Sequence, residues 1–195
     1  MALPEYPFMD VEDYLELDRN SKHVRYEYID GELRMLAGGS TYHSIIIANL
    51  NGILYGLLRK SPCRVYNSDI RLQLSTSCYF YPDVTISCDQ RDLELSDMIR
   101  YPRVIFEVLS PSTEPVDRGK KFVYYRECTT VQEYVLVDSQ SKLLEIYRRE
   151  EDGWKLHIFG PGDEIQLASV QVHFPFDDVY EGTQLTGSPK NKRTR

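Results

Sequence analysis

Residues 103–109 read Arg-Val-Ile-Phe-Glu-Val-Leu, a segment apolar at both parities of a two-residue repeat. Strand side chains alternate between faces. Val104, Phe106 and Val108 therefore share one face, and Ile105, Glu107 and Leu109 the other. A strand of this kind is central and covered on both sides. It also puts a carboxylate, Glu107, where water is scarce. A buried lone carboxylate is costly and takes up a proton unless something pairs with it. Either Glu107 meets a neighbouring Arg or Lys, or it belongs to a chemical site.

The rest of the chain supplies the layers. Asp10–Asn20 reads as a short helix with Val11, Tyr14, Leu15 and Leu17 on its apolar side. Val24–Tyr28 and Leu33–Leu36 flank Asp30-Gly31, a strong hairpin signal. Ser40 or Thr41 caps a helix running to about Lys60, with Ile46, Leu50, Ile53, Leu54, Leu57 and Leu58 as its stripe and Pro62 beyond its end. Two strands follow, Arg64–Leu74 and Tyr79–Cys88, then a polar loop, Asp89–Met98. After Glu107 the turn Ser110–Pro115 introduces a helix from about Val116 to Cys128. Val131–Val137, Lys142–Arg148 and Trp154–Phe159 read as strands, with two short ones near Ile165–Leu167 and Val170–Phe174. This order predicts an α/β or α+β fold: a mixed central sheet flanked by helices, with extra C-terminal strands. Residues 1–186 are expected to form a single domain, and the polar, basic tail 187–195 to be disordered.

A second acid is as conspicuous as Glu107. Asp83 follows Pro82, which removes a ladder donor and forces extended geometry, marking an edge or a bulged point. Twenty-four positions separate Asp83 from Glu107, enough for one loop between neighbouring strands. Side by side, two charges about 4 Å apart would repel by roughly 4 kcal/mol at an effective dielectric of 20. A divalent cation reverses that sign, and oxygen-only ligands suit magnesium or manganese rather than zinc. Lys120 and Lys121 follow on the next helix, with Asp117 one turn before Lys121. A lysine near such a metal orients water and stabilises charge in phosphodiester hydrolysis; otherwise both lysines are a solvated helix face.

The net charge of −7 argues against a protein that coats DNA nonspecifically, without excluding a nuclease. No apolar run approaches the ~20 residues of a membrane span, and the N-terminus lacks the regions of a secretory signal. A cytoplasmic location and no membrane partner are expected. Cys63, Cys78, Cys88 and Cys128 form no close C-x-x-C pair, so no zinc site is expected, and without a secretory signal no disulfide either, only four reduced thiols.

Three segments resemble a known family: RYEYIDGELRML (25–36), YPDVTISC (81–88) and VIFEVLSPSTEPVDRGKKFVYYRECTTVQEYVLVD (104–138). They are similar to the Uma-type family of restriction endonuclease-like proteins, within the PD-(D/E)XK nuclease superfamily, over roughly residues 10–150. The resemblance implies a restriction endonuclease-like core that hydrolyses DNA phosphodiester bonds with Mg2+ or Mn2+. Asp83 and Glu107 would be the metal-binding acids. Position 109, the superfamily's lysine, is Leu109 here, and Lys121 on the next helix would substitute, with Lys120 as fallback. Glu27 would be a third ligand or hold a ligand water, or else an exposed hairpin charge. His43 would act as an acid or position phosphate, or cap and pack its helix. Asp69 is a weaker candidate. A homodimer is expected, since two-fold symmetry suits the cutting of both strands of a duplex. Specificity would come from a partner or from loops such as Asp89–Met98. Two rivals stand: a weakly active or inactive nuclease fold serving as a binding module, and a two-carboxylate hydrolase such as a glycosidase.

Overall fold

The computed structural model describes residues 8–21, 23–36 and 38–187. The expected tail, apart from Gly187, lies outside the described residues. A six-stranded mixed sheet forms the centre. It comprises β3 (Arg64–Asn67), β6 (Val84–Ser87), β8 (Pro102–Leu109), β9 (Glu133–Asp138), β10 (Leu144–Glu150) and β11 (Gly153–Phe159), in the order β11-β10-β9-β8-β6-β3. β8 is parallel to β9 and antiparallel to β6, and so occupies the interior position that its two apolar faces demand.

Each face of β8 meets a different layer. Val104, Phe106 and Val108 pack under the long helix α2 (Thr41–Leu58), against Ile46, Leu50, Leu54 and Leu58. The hairpin β12 (Glu164–Leu167) and β13 (Val172–Pro175), with the short helix α5 (Phe176–Val179), completes that layer. Burying each such Leu or Phe contributes ~1.5–3 kcal/mol. α2 starts at a Ser40 N-cap, whose Oγ accepts the His43 N–H. Leu57, expected in the stripe, is instead 46% exposed, because the buried positions follow a strict four-residue step that leaves it out.

On the other face lie Ile105, Glu107 and Leu109. Here α3 (Glu114–Val116), a π-helical stretch (Asp117–Lys121) and α4 (Phe122–Glu127) run on as one helix, and a second sheet packs beside it. That sheet has five strands in the order β2-β1-β5-β4-β7, comprising β1 (Tyr26–Ile29), β2 (Glu32–Met35), β4 (Arg71–Ser75), β5 (Cys78–Phe80) and β7 (Met98–Ile99). The Asp30-Gly31 turn joins β1 to β2 with both φ values positive, 49° and 93°. The first helix, α1 (Val11–Asn20), rests on this sheet through Tyr14, which stacks on Tyr28.

The two strands expected at Arg64–Leu74 and Tyr79–Cys88 are each broken in two. β3 and β6 belong to the central sheet, whereas β4 and β5 belong to the second one. One long hairpin therefore crosses from layer to layer. Its corners fall at residues 68–70 and 81–83, where Pro82 cannot donate to a ladder. The thiol expectation also fails at one pair. Cys63 and Cys88 are disulfide-bonded, because they follow directly on the Arg64↔Ser87 register of β3 and β6 and so face each other. Cys78 and Cys128 are free. Among the described residues no helix is long and apolar enough to cross a membrane.

Candidate active site

The site lies where the two sheets and the β8–α4 connection meet. β8 sends Glu107 down from the central sheet. The antiparallel register Val84↔Phe106 continues to place Asp83 opposite Glu107, at the layer-crossing corner. The Val108 N–H, left free by the interrupted ladder, donates to Asp83 Oδ2 at 2.7 Å. β1 brings Glu27 from the second sheet. The π-helical stretch brings Asp117 and Lys121, and such a widened turn is a recurrent device at functional sites.

Lys121 is the hub. Its Nζ lies 2.7 Å from Glu27 Oε1, 3.0 Å from Glu107 Oε1 and 3.2 Å from Asp117 Oδ1. All four residues are at most 4% exposed. Tyr125 O–H donates to Glu107 Oε1 at 2.8 Å, and the Tyr81 N–H to Glu27 Oε1 at 3.3 Å. Glu27 Oε2 is buried with no hydrogen-bond partner. Lys120 points elsewhere, to Glu32 at 2.6 Å. His43, from the first turn of α2, places Nε2 3.6 Å from Asp83 Oδ2. Gly39 makes room for it: a Cβ there would sit 2.4 Å from His43 Nδ1.

Three acids around one ammonium leave the cluster short of positive charge. Burial pushes the Glu107 carboxyl well above the usual range; Lys121 opposes that shift, and Asp117, Asp83 and Glu27 reinforce it. Burial likewise raises Asp83, against the pull of His43, the Val108 N–H and Lys121. For Lys121, burial disfavours the charge, but Glu107, Glu27 and Asp117 outweigh it and hold the ammonium protonated well above the usual lysine range. The cluster thus keeps its cation, and burial favours the protonated form of Glu107 and of Asp83.

An open cleft of about 900 Å³ gives access, lined by Asp83, Glu107, Asp117 and Lys121 at its base and by Arg25, Arg34 and His43 among its walls. Asp69 lines it too, at the other corner of the layer-crossing hairpin, with its Oδ2 accepting from Asn67 at 3.1 Å. The Asp89–Met98 loop does not line it. Asp92 pins that loop away, accepting from Ser87 Oγ and the Arg100 N–H.

The structure thus gathers Asp83, Glu107, Lys121, Glu27 and His43. Sequence reasoning missed the parts of Asp117 and Tyr125. Both fall on the inner face of the helix, four residues to either side of Lys121, and that spacing was the available signal. The donor set is all oxygen and rich in carboxylate, as a hard divalent cation requires, and Glu27 Oε2 retains unspent lone pairs. Among the described residues no three His, Cys, Asp or Glu side chains form a ready-made metal shell, since the ammonium stands between them.

A family model described as "Uma2: Putative restriction endonuclease" matches residues 11–175. The chain belongs to the Uma2 family. The Uma2 match runs past residue 150, where the resemblance of the sequence segments stops, and takes in β11 to β13. Among curated proteins the chain is similar to "Uncharacterized protein slr1290" of Synechocystis sp., 36% identical over 91% of this chain and 94% of that one. A second Synechocystis protein, "Uncharacterized protein sll1609", is 29% identical over 88% of this chain and 99% of its own length. Among solved structures, one from Anabaena variabilis described as "a putative nuclease belonging to DUF820" superposes with a TM-score of 0.74. It covers 88% of this chain and 97% of its own at 16% identity, which shows a shared fold.

Proposed function

We propose that this chain is a Mg2+- or Mn2+-dependent endonuclease that hydrolyses DNA phosphodiester bonds. The observation that carries the reading is the convergence of acids from three separate segments on one lysine, with Asp83 lining the same open cleft. Burying so much like charge is a poor way to stabilise a fold and a common way to build a site.

In this reading Asp83 and Glu107 hold the metal, with Glu27 completing or supporting the set. The metal, when bound, supplies Lewis acidity and a nucleophilic water at neutral pH. The chain's own groups do the rest. The Val108 N–H fixes the Asp83 carboxylate. Tyr125, kept neutral by burial and by Glu107, holds the Glu107 carboxyl by donating to it. Lys121, kept charged, offers a positive partner to the phosphate oxygens as negative charge develops on them. His43, beside Asp83 at the mouth of the cleft, is placed to exchange a proton with the departing or attacking oxygen.

The direct test is cleavage of plasmid DNA by the wild-type chain and Asp83→Ala in millimolar Mg2+ or Mn2+. Loss in the variant, with an unchanged melting temperature, is the expected result. Equal cleavage by both would remove the site assignment. A second reading, a nuclease fold that binds without cutting, draws on the ammonium already seated among the acids, a cation the cluster holds without metal. It predicts no rise in melting temperature on adding either metal, whereas the metalloenzyme reading predicts a rise. The homodimer and the cytoplasmic setting are parts of the same proposal, the former testable by the chain's mass in solution.

A further inference from the structure

We propose that Arg34, assisted by Arg25, forms a phosphate-backbone clamp in the cleft wall, a subsite separate from the acidic centre that grips a DNA phosphodiester through its non-bridging oxygens. This rests on the nuclease reading for its ligand, but not for its geometry.

The β1/β2 register sets Arg34 directly across from Glu27. Opposite residues of an antiparallel pair share a face. Arg25 lies two residues before Glu27 on the continuing ladder, where the Leu36 N–H donates to its carbonyl. The hairpin therefore aims Arg25, Glu27 and Arg34 the same way. Glu27 is fully buried and spends its Oε1 on Lys121 and the Tyr81 N–H, not on its cross-strand neighbour. Among the described residues neither Arg25 nor Arg34 has a carboxylate within ion-pair distance, yet both line the cleft.

Arg34 carries the stronger signal. Its Nη2 donates to the Ser112 carbonyl at 3.1 Å, while its Nη1 is withdrawn from water with no acceptor. An unsatisfied charged donor is a standing cost. A turn of the side chain toward the cleft it lines would present that donor to an anion there, and a guanidinium fork matches the paired oxygens of a phosphate. Ser112 belongs to the loop leaving β8, the strand of Glu107, so the same bond that orients the fork ties it to the acidic floor. Arg25 stands over the Tyr81 ring at 5.7 Å, and the Tyr81 N–H in turn touches Glu27. In a chain of net charge −7, two arginines free of acid partners at the cleft give a polyanion somewhere to land.

The test is anisotropy of a fluorescein-labelled DNA duplex with the full-length chain in Ca2+ buffer, at salt from ~50 to ~200 mM. Arg34→Gln is expected to weaken binding about tenfold and to flatten the plot of log Kd against log salt by about one unit, the mark of a lost phosphate contact. Arg34→Lys keeps the slope and regains part of the affinity. Arg25→Gln flattens the slope further when combined with Arg34→Gln. Lys155→Gln, on the edge strand β11 outside the cleft lining, leaves both quantities unchanged. Thermal melts confirm that each variant is folded. Wild-type affinity and slope in folded Arg34→Gln would overturn the clamp, as would an equal loss in Lys155→Gln or the absence of DNA binding by wild type at low salt. Clamp-dependent binding without cleavage would reject the nuclease reading and leave the clamp standing.

Discussion

Two glutamates lie one strand apart in the central sheet, both buried, and they are treated in opposite ways. Glu133 on β9 has both oxygens fully used: Oε1 accepts from Arg148 Nε and the Ala168 N–H, and Oε2 from the N–H and Oγ of Ser169. It ties β9 to β10 and to the turn after β12. Glu107 on β8 collects Lys121 and Tyr125 on one oxygen, faces three other acids and opens on a cleft. A buried carboxylate surrounded by donors is scaffold. A buried carboxylate crowded by its own kind, with one ammonium among them, is the place the proposed reading gives to a metal.

The contrast breaks most visibly at the hub. Lys121→Met strips the ammonium from Glu27, Glu107 and Asp117, and should cost about 3–5 kcal/mol in denaturant unfolding. Millimolar Mn2+ should return part of that loss and stabilise the variant more than the wild type. A variant whose stability ignores Mn2+ would mean that the acids do not accept a metal. Next come the glutamates themselves. Glu107→Gln should lower DNA cleavage by about 10²–10³-fold with little change in melting temperature, since it relieves crowding among acids. Glu133→Gln should do the reverse, losing roughly 2–3 kcal/mol of stability with cleavage per folded molecule intact. Similar behaviour in the two variants would dissolve the distinction.

Smaller effects sharpen it. Gly39→Ala pushes the His43 ring from its place beside Asp83 and should slow cleavage about tenfold, leaving metal-induced stabilisation unchanged. pH supplies the finest test. Glu107 and Asp83 hold their protons above the usual carboxyl range, and metal must displace them. Mn2+ affinity, measured by calorimetry, should therefore climb with pH, by at most about tenfold per unit for each proton released. Stability without metal runs the other way. The folded chain binds these protons more tightly than the unfolded one, so this contribution is full below about pH 4 and fades as pH rises. A pH-independent Mn2+ affinity would show that the acids are already ionised.

Much of this was readable in the residues. The two-sided apolarity of 103–109 placed β8 in the interior, and Pro82 marked Asp83 as lying at an irregular point. Both held because they rest on local rules, pleat alternation and the missing proline donor. Tyr125 escaped notice, and Asp117 was noted only for its spacing from Lys121, because their role depends on which helix face turns inward, which packing decides. Glu27 was left open between ligand and surface charge for a similar reason: a four-residue strand does not reveal that Lys121 and the Tyr81 backbone close over it. The split of the 64–74 and 79–88 segments between two sheets, and with it the Cys63–Cys88 bond, depends on long-range register, to which single-sequence patterns are blind.

The hairpin that changes layers at residues 68–70 and 81–83 has one more implication. Glu27 comes from one sheet, Glu107 from the other and Asp83 from the corner between them, so the seam exists only after both have formed and closed. A half-assembled chain holding either layer alone lacks the full set. Catalytic readiness would then arrive at the last step of folding, and a newly made or locally opened molecule would be harmless to whatever nucleic acid surrounds it.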